Sequence, residues 1–431
     1  MMFSATYAYS ALPVSEEDFR HKALAWADQF PHVAYYNPNA ISYPHQGFAH
    51  LLAVSSRPAV SLNASEAFQS LRQTLQGEHP LLCGFLTYDL KNQIEKLVSQ
   101  HPDHVGFSPI LFFAPEFYIY FHETGLTAYA STDRIDRILG EIMAASVTPA
   151  FVPENIQVRQ RVSQEEYAVQ VARIREHITE GDVYELNYCM EFYAEDALVQ
   201  PLPLYMALSA ASPTPFSGYL KCQDTYLLCA SPERFLKKEG RQLISQPIKG
   251  TIRRGHTPEE DAQLQHQLRH NEKELAENMM IVDLVRNDLS RSCATGSVRV
   301  EEMFGIYGFR QVSQMISTVT GQLRPDLDLV DALLGAFPMG SMTGAPKISA
   351  MQLIEELEVT KRGLYAGAMG FITPDNNCDF NVVIRSIQYN ARTRYLSFMV
   401  GSAITYDSDP EQEYAECLLK AQAILKVLGQ E

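Results

Sequence analysis

The chain has 431 residues, of which 46% are hydrophobic and 20% charged; it can bury a sizeable core, and it exceeds the roughly 250–300 residues of a usual single core. Its formal net charge is −16 and it has no long run of Lys or Arg. Nucleic acid is therefore not an expected partner, because phosphate binding needs clustered cations.

The seven cysteines are scattered without a CxxC pair, which argues against a disulfide framework or a zinc site. The N-terminus lacks the basic and apolar regions of a signal peptide, and no apolar run reaches about 18 residues. We therefore expect a cytoplasmic protein with no membrane partner. GxGxxG and Walker A motifs are absent from the sequence, so no motif indicates a nucleotide site.

Residues 1–150 alternate short apolar runs with turns. The pattern predicts strands at 33–36, 51–54, 81–88 and 117–121, and helices at 65–75 and 135–145. This mixture without a βαβ rhythm is typical of an α+β fold. Residues 146–153 contain two prolines and no helical period, which indicates a linker between an N-terminal segment, 1–150, and a second region, 155–430.

The second region begins with a helix predicted at 163–180, with Ser163 as its N-cap and Gly181 at its end. The pattern that follows predicts, in chain order, a strand at 183–192, a β-meander at 216–247, one long helix at 258–292, strands near 297–300 and 315–321, helices at 330–336 and 345–357, strands at 364–373, 378–389 and 395–404, and a last helix at 410–428.

Lys249 lies where a predicted strand enters a turn. A lysine becomes a nucleophile when its amine is partly neutral, and the nearby Arg253 and Arg254 could lower its pKa. The alternative is a solvated surface lysine. Glu233 is likewise either a surface acid or, if the meander brings it to Lys249 on a neighbouring strand, a proton donor and acceptor.

Two Glu-x-x-Glu pairs occur on predicted helices, Glu274 with Glu277 and Glu413 with Glu416. Residues three apart share a helical face, so two such faces in contact would place four carboxylates together. That arrangement requires a cation, and Mg²⁺ suits oxygen ligands. The alternative is two solvated acidic helix faces.

Two small-residue segments are candidate ligand sites. The loop 340–347 precedes a predicted helix whose N-terminus, near Pro346, could bind a carboxylate, although it could equally be an ordinary capped loop. Gly401-Ser402-Ala403 either lets a ligand approach the backbone or marks tight packing or a bulge.

Several motifs follow one another in a family-specific order over roughly residues 160–428. They are Gly181-Asp182-Val183-Tyr184, Ser231-Pro232-Glu233-Arg234-Phe235, Pro247-Ile248-Lys249-Gly250-Thr251, the segment 277–288, the loop 340–347, Tyr365-Ala366-Gly367 and Asp409-Pro410-Glu411. In this the chain resembles the chorismate-utilising enzymes, which include the synthases of anthranilate, aminodeoxychorismate, isochorismate and salicylate. The resemblance implies two facing, mostly antiparallel sheets with outer helices.

Within this family, Lys249 makes the chain most similar to aminodeoxychorismate synthase component I, because anthranilate synthases typically have Ala there. The resemblance implies that Lys249 attacks C2 of chorismate, with Glu233 as general acid/base at the C4 hydroxyl. Ammonia then adds at C4 and the lysine departs, giving 4-amino-4-deoxychorismate for 4-aminobenzoate and folate synthesis. We recognise no glutaminase domain, so we expect ammonia from a separate glutamine amidotransferase subunit.

The resemblance also implies the ligand-binding residues. Glu277 and Glu416 match the Mg²⁺ ligands most closely, with Glu274 and Glu413 as ligands directly or through water, and the metal holds the ring carboxylate. The implied substrate-binding residues are Thr251, Thr343, Gly344, Tyr365, Arg385, Gly401, Ser402 and Lys420.

The sequence departs from the family at three places. Gln314 stands where a His usually lies close to the step that expels pyruvate, which favours an enzyme that stops at the amino-deoxy product. Glu185 stands where Gln or Lys is usual, and Gly401-Ser402-Ala403 replaces Gly-Ala-Gly. No tryptophan-binding pattern is recognisable. The alternatives are anthranilate synthase component I and a catalytically silent regulatory paralogue.

Overall fold

The computed structural model describes residues 2–60, 62–153, 156–310 and 312–430. Over these residues the chain forms one 12-stranded and one 9-stranded β-sheet, and every strand pair is antiparallel. The predicted α+β class with two mostly antiparallel sheets is confirmed.

The strands are β1 (Phe3–Ala8), β2 (His32–Asn37), β3 (Leu51–Ser55), β4 (Leu82–Leu86), β5 (Ile110–Phe113), β6 (Phe117–Phe121), β7 (Gly125–Ala130), β8 (Arg159–Gln160), β9 (Glu185–Ala194), β10 (Phe216–Cys222), β11 (Thr225–Ser231), β12 (Arg234–Glu239), β13 (Gln242–Gln246), β14 (Ile248–Arg253), β15 (Arg299–Gly308), β16 (Val312–Gln322), β17 (Gly344–Ala345), β18 (Ala368–Ile372), β19 (Cys378–Asn381), β20 (Ser386–Asn390) and β21 (Tyr395–Ile404). The helices are α1 (Glu16–Ala27), α2 (Ala67–Leu75), α3 (Lys91–Ile94), α4 (Ile135–Ala144), α5 (Gln164–Glu180), α6 (Pro201–Ala211), α7 (Pro258–Arg269), α8 (Glu272–Ser290), α9 (Leu329–Ala336), α10 (Lys347–Leu357) and α11 (Pro410–Val427).

The larger sheet has the order β1-β7-β6-β3-β2-β10-β11-β20-β21-β9-β17, with β8 paired to β9. The smaller sheet has the order β14-β16-β13-β12-β19-β18-β4-β5, with β15 paired to β16. Both sheets take strands from each side of the predicted linker, whose residues 146–153 form no helix or strand. The second region was predicted to start at residue 155, which lies outside the described residues.

The core lies between the sheets and beneath the helices. Successive side chains of a strand point to opposite faces, and those of β2 are buried on both. Val33 and Tyr35 pack in a cluster with α1, α4, α5 and α11, whereas Ala34 and Tyr36 pack with Phe85 of the smaller sheet. Helices α2, α8 and α9 cover the other face of the smaller sheet. Within the described residues, every helix is too short or too polar to cross a membrane.

Local sequence signals explain where α5 begins and ends. Ser163 forms a capping box with Glu166, and Gly181 ends the helix in a left-handed conformation with φ of 90°. The predicted single helix at 258–292 is wrong, because the chain breaks after His270 and Asn271 caps a new helix by accepting a bond from Glu274 N–H.

Candidate active site

Lys249 lies inside strand β14, not in the predicted turn. The neighbouring Gly250 has a φ of 95°, and the pairing register with β16 shifts between Ile248 and Thr251. The lysine side chain is only 11% exposed, and its Nζ donates to Oε1 of Glu185 at 2.8 Å. The interpretation of Lys249 as a solvated surface lysine is therefore wrong.

The electrostatic setting of Lys249 differs from the prediction. Burial lowers its pKa, but the carboxylates of Glu185, Glu277 and Glu416 outweigh burial, so the pKa lies above its ordinary value. Arg253 and Arg254, which were expected to lower this pKa, form ion pairs with Glu260 and Asp261, respectively. The resting lysine is therefore an ammonium ion paired with a buried carboxylate.

Glu233 converges on the same place, as predicted. It precedes β12, in which Arg234 lies opposite Gln246 of β13, and β13 and β14 pair with successive parts of β16. This register places Glu233 beside the start of β14. Its carboxylate accepts a 2.7 Å bond from Ser341 Oγ and a bond from the Ile248 N–H.

Glu233 has the acidity of a group that can both donate and accept a proton near neutral pH. Burial raises its pKa to about 7, against the opposing effects of Ser341, Lys249 and the Ile248 N–H. A catalytic acid or base works best when its pKa lies near the operating pH. The buried carboxyl and Lys249 therefore form a pair suited to nucleophilic attack and protonation of a leaving group.

The acidic faces of α8 and α11 meet. Lys273 Nζ lies 3.8 Å from Glu277 and 3.6 Å from Glu413, so one ammonium group bridges the two helices. Glu413 is buried and accepts a 2.8 Å bond from Ser408 Oγ, while Glu416 is half exposed and pairs with Lys420 at 2.7 Å. The two Glu-x-x-Glu pairs are therefore not separate solvated faces.

These carboxylates have the chemistry of a hard-cation site but are not drawn together around one point. Burial raises the pKa of Glu277 to about 7, which shows that its negative charge lacks full compensation. Among the described residues, His177, Glu180 and Asp182 are the trio whose ligand atoms all lie within 4.8 Å of one another, and it includes none of the four glutamates. Carboxylate oxygens are the ligand type that Mg²⁺ accepts, and Mg²⁺ keeps several water ligands.

Arg385 and Gln314 line one cavity, together with Thr214 and with Pro232, the residue before Glu233. Burial lowers the pKa of Arg385, and Glu233 is the carboxylate that opposes this effect. Gln314 Nε2 donates to Thr251 Oγ1 at 3.5 Å, and Gln314 Oε1 is buried without a partner among the described residues. Buried polar groups of this kind can be satisfied by a bound ligand.

Three of the remaining predicted substrate residues form hydrogen bonds within the protein. Lys420 donates to the Gly401 carbonyl at 2.8 Å, which ties this strand to the acidic helices. The hydroxyl of Ser402 bonds to Tyr167, and that of Thr343 bonds to the Met339 and Gly340 carbonyls. Both hydroxyls are thus engaged inside the protein.

Two further predicted positions border these segments. Gly344 has a φ of 146° and pairs with Leu186 of β9, so its conformation requires glycine. Tyr365 is buried, with its hydroxyl 3.9 Å from Cys189 Sγ.

The sequence and the fold are both similar to known proteins. The sequence profile described as "chorismate binding enzyme" matches residues 22–426. The chain belongs to this family.

The curated relatives include proteins named aminodeoxychorismate synthase and proteins named anthranilate synthase. The chain is 34% identical over 360 residues to aminodeoxychorismate synthase component 1 of Bacillus subtilis, covering 80% of this chain and 76% of that protein. It is 35% identical over 356 residues to anthranilate synthase component 1 of Thermus thermophilus, with the same coverage of 80% and 76%. A probable chloroplastic aminodeoxychorismate synthase of Oryza sativa is 41% identical over 270 residues, 62% of this chain, but the match spans only 30% of that protein.

Solved structures give the same family fold. Anthranilate synthase component I from Streptococcus pneumoniae superposes with a TM-score of 0.74 at 26% identity, covering 90% of this chain and 91% of that one. A menaquinone-specific isochorismate synthase from Escherichia coli gives a TM-score of 0.78 at 17% identity, covering 99% and 94%, and supports the fold alone. The chain is therefore a chorismate-utilising enzyme of the anthranilate and aminodeoxychorismate synthase class.

Sequence reasoning missed three residues around the lysine of this chorismate-utilising enzyme. Glu185 was noted as a departure from the family but not as the partner of Lys249. Lys273 was overlooked, although it lies four residues before Glu277 and hence on the same helical face. Asn278 fixes the backbone of Lys249: its Nδ2 donates to the Lys249 carbonyl at 3.2 Å.

Proposed function

We propose that this enzyme transfers ammonia to chorismate and forms 4-amino-4-deoxychorismate in a Mg²⁺-dependent reaction. The observation that carries the proposal is the buried Lys249, held in the same site as Glu233, whose pKa is about 7. Relatives named for aminodeoxychorismate and for anthranilate are almost equally similar, so their names do not choose the product. The lysine supports the amino-deoxy product, because it offers a nucleophile for a covalent route.

The proposed route divides one substitution into two. The neutral amine of Lys249 attacks C2 of the ring, the two ring double bonds shift, and the C4 hydroxyl leaves as water with a proton from Glu233. Ammonia then adds at C4, the double bonds shift back, and the pair of electrons returns to Lys249 Nζ as its bond to C2 breaks. Glu233 takes up the proton that the new C4 amine loses, which restores both groups.

Glu277 and Glu416 would hold the magnesium ion, with Glu274 and Glu413 as ligands directly or through water. When bound, the ion supplies positive charge that neutralises the ring carboxylate of chorismate. Lys273 already places a cation between α8 and α11, which indicates that this position favours positive charge. Arg385 would bind the second carboxylate, and the other proposed substrate contacts are Thr251, Thr343, Gly344, Tyr365, Gly401, Ser402 and Lys420.

Anthranilate is the second candidate product, because several relatives are anthranilate synthases. Its formation requires a further step that removes a ring proton and expels pyruvate. Gln314 lines the cavity beside Arg385, and its carboxamide is not a proton acceptor of useful strength. This residue supports an enzyme that stops at the amino-deoxy product, a precursor of 4-aminobenzoate and folate.

The ammonia would come from glutamine through a separate amidotransferase subunit. The relatives named "component 1" support this division of labour. Adding the amidotransferase should therefore convert an ammonia-dependent activity into a glutamine-dependent one.

Product analysis tests the proposal. The purified chain is incubated with chorismate, ammonium chloride and Mg²⁺, and the products are separated by liquid chromatography with mass detection. We expect 4-amino-4-deoxychorismate and no anthranilate. Accumulation of anthranilate would establish the second candidate, and a complete lack of turnover would indicate a silent paralogue.

A further inference from the structure

Glu185 is the buried carboxylate in contact with Lys249, and nothing in the reaction described above uses it. It is the first residue of β9 and is 1% exposed. Its Oε1 accepts the 2.8 Å bond from Lys249 Nζ, and its Oε2 is buried without a hydrogen-bond partner among the described residues. A buried carboxylate with one oxygen unsatisfied is costly, which points to a role beyond packing.

The position of Glu185 is fixed by the sheet. Residue 185 pairs with Ala345 of β17, and the Tyr184 N–H donates to the Ala345 carbonyl at 2.6 Å. A side chain on the neighbouring Gly344 would clash with the Glu185 carbonyl, at 2.2 Å from its Cβ. The carboxylate therefore faces Lys249 from a rigid element, as a group that must exchange a proton at a defined atom requires.

The proposed reaction begins with a problem of protonation. An ammonium nitrogen has no lone pair, and the resting Lys249 is held as an ammonium ion by the carboxylates around it. Four other carboxylates act on it. Glu274 and Glu277 from α8 and Glu416 from α11 are proposed metal ligands, and Glu233 must itself be protonated to release the C4 hydroxyl. Among the carboxylates of the described residues, only Glu185 is both in contact with Nζ and free of another assigned role.

We propose that Glu185 is the positioning residue that accepts the proton of Lys249 before nucleophilic attack and returns it when the lysine departs. This inference rests on the proposed covalent function. In the forward step, one Nζ–H bond breaks and an O–H bond forms on Glu185, so the Nζ lone pair becomes free to form the bond to C2. When that bond breaks, the amine regains the proton and Glu185 regains its negative charge.

The test measures the first half-reaction alone, so that the titration of ammonia does not interfere. Enzyme and Mg²⁺ are mixed with chorismate without ammonia, and the rate of adduct formation on Lys249 is followed by quenched-flow mass spectrometry from pH 6.5 to 10. The variants are Glu185→Gln, Glu185→Asp and, as a matched control, Glu191→Gln. Glu191 is a buried carboxylate of the same strand, and it pairs with Arg161 at 3.1 Å.

We expect Glu185→Gln to form the adduct roughly 100-fold more slowly than the wild type near pH 7, which is the lower range of general-base effects. Its rate should rise towards the wild-type value at high pH, because hydroxide then removes the lysine proton. Glu185→Asp should recover part of the neutral-pH rate, and Glu191→Gln should behave as wild type. A wild-type rate in Glu185→Gln at pH 7, or a loss that persists at high pH, overturns the proposal.

A second measurement needs no turnover. Acetic anhydride labelling of Lys249 across pH reports the pKa of its amine, and loss of the Glu185 charge should lower the labelling midpoint by roughly one pH unit or more. An unchanged midpoint would contradict the ion pair on which the proposal depends. If Lys249→Ala still forms 4-amino-4-deoxychorismate, the covalent route through Lys249 fails, and the role of Glu185 fails with it. If that variant is inactive while Glu185→Gln equals wild type, only the role of Glu185 fails. A wild-type enzyme that forms anthranilate or no product refutes the proposed function itself.

Discussion

Replacing Ser341 by alanine should change the pH dependence of kcat/KM while both proposed catalytic residues, Lys249 and Glu233, are kept. The Ser341 hydroxyl donates a 2.7 Å bond to Glu233 Oε1 in a buried setting and thereby lowers the pKa of that carboxyl. A hydrogen bond to a charged group contributes about 1.5–3 kcal/mol. Because a pKa change of one unit corresponds to about 1.4 kcal/mol, the pKa of Glu233 should rise by about one to two units in Ser341→Ala.

The sign follows from the role of Glu233 as the acid that protonates the leaving hydroxyl. Only its protonated form is active, so kcat/KM for chorismate should fall as pH rises past a pKa of about 7. In Ser341→Ala this fall should move to higher pH by the same one to two units. The assay records kcat/KM from pH 5.5 to 9.5 at a constant concentration of free ammonia.

The matched control is Ser209→Ala, which removes a buried hydroxyl that bonds to Asn39 Oδ1 at 3.3 Å rather than to Glu233. It should leave the pH profile unchanged. If the profiles of Ser341→Ala and the wild type coincide, or if the fall moves to lower pH, the assignment of Glu233 as the acid is refuted.

Two further predictions concern the metal and the stability of the scaffold. Removal of Mg²⁺ by EDTA should abolish turnover, and added Mg²⁺ should restore it; activity that persists in EDTA would refute the metal requirement. Glu277→Gln should raise the Mg²⁺ concentration for half-maximal rate at least about 10-fold, because the variant loses a buried negative charge of the proposed metal site. Arg362→Met should lower the free energy of unfolding by about 3–5 kcal/mol, measured by chemical denaturation, since it leaves the buried Glu358 carboxylate without its 2.6 Å partner. The exposed pair of Arg392 with Asp224 provides the control, for which Arg392→Met should cost less than about 1 kcal/mol, and equal losses in the two variants would contradict this reasoning.

Elements with strong local signals were predicted well. Helix α5 carries its own start and stop in Ser163 and Gly181, and the observed bounds, Gln164–Glu180, differ from the prediction by one residue. The final helix, Pro410–Val427, is equally close, because Asp409 caps it by accepting from the Glu411 and Gln412 N–H groups. The arrangement of the two sheets was not read from such signals: it came from the resemblance.

Other features could not be predicted because long-range contacts decide them. The sequence around Gly250 looks like a turn, yet pairing with β16 keeps it in a strand with a register shift. Glu185 and Lys249 are 64 positions apart, and only the packing of the two sheets makes them partners. Lysine acidity depends on such contacts: Glu277, distant in sequence, raises the pKa of Lys249, whereas Arg253, close in sequence, pairs with Glu260.

The same limit applies to Ser402. Ser402 was chosen because small residues permit a close approach of ligand to backbone, yet its hydroxyl is turned inward to Tyr167 at 2.8 Å. The alternation of side chains along β21 predicts two faces but not which face the substrate uses. For Glu233 the meander indicated that it could reach Lys249 but left a surface position open, and the pairing of β12, β13, β14 and β16 decides between the two.

The central claim is that Lys249 becomes covalently bonded to the ring. Wild-type enzyme with Mg²⁺ and chorismate, but no ammonia, is quenched in acid and digested, and the peptide that contains Lys249 is analysed by tandem mass spectrometry. We expect a mass increase on Lys249 equal to chorismate minus water. This increase should disappear when ammonia is added and be absent in Lys249→Ala. An unmodified Lys249 in the wild type, together with normal product formation by Lys249→Ala, would contradict it.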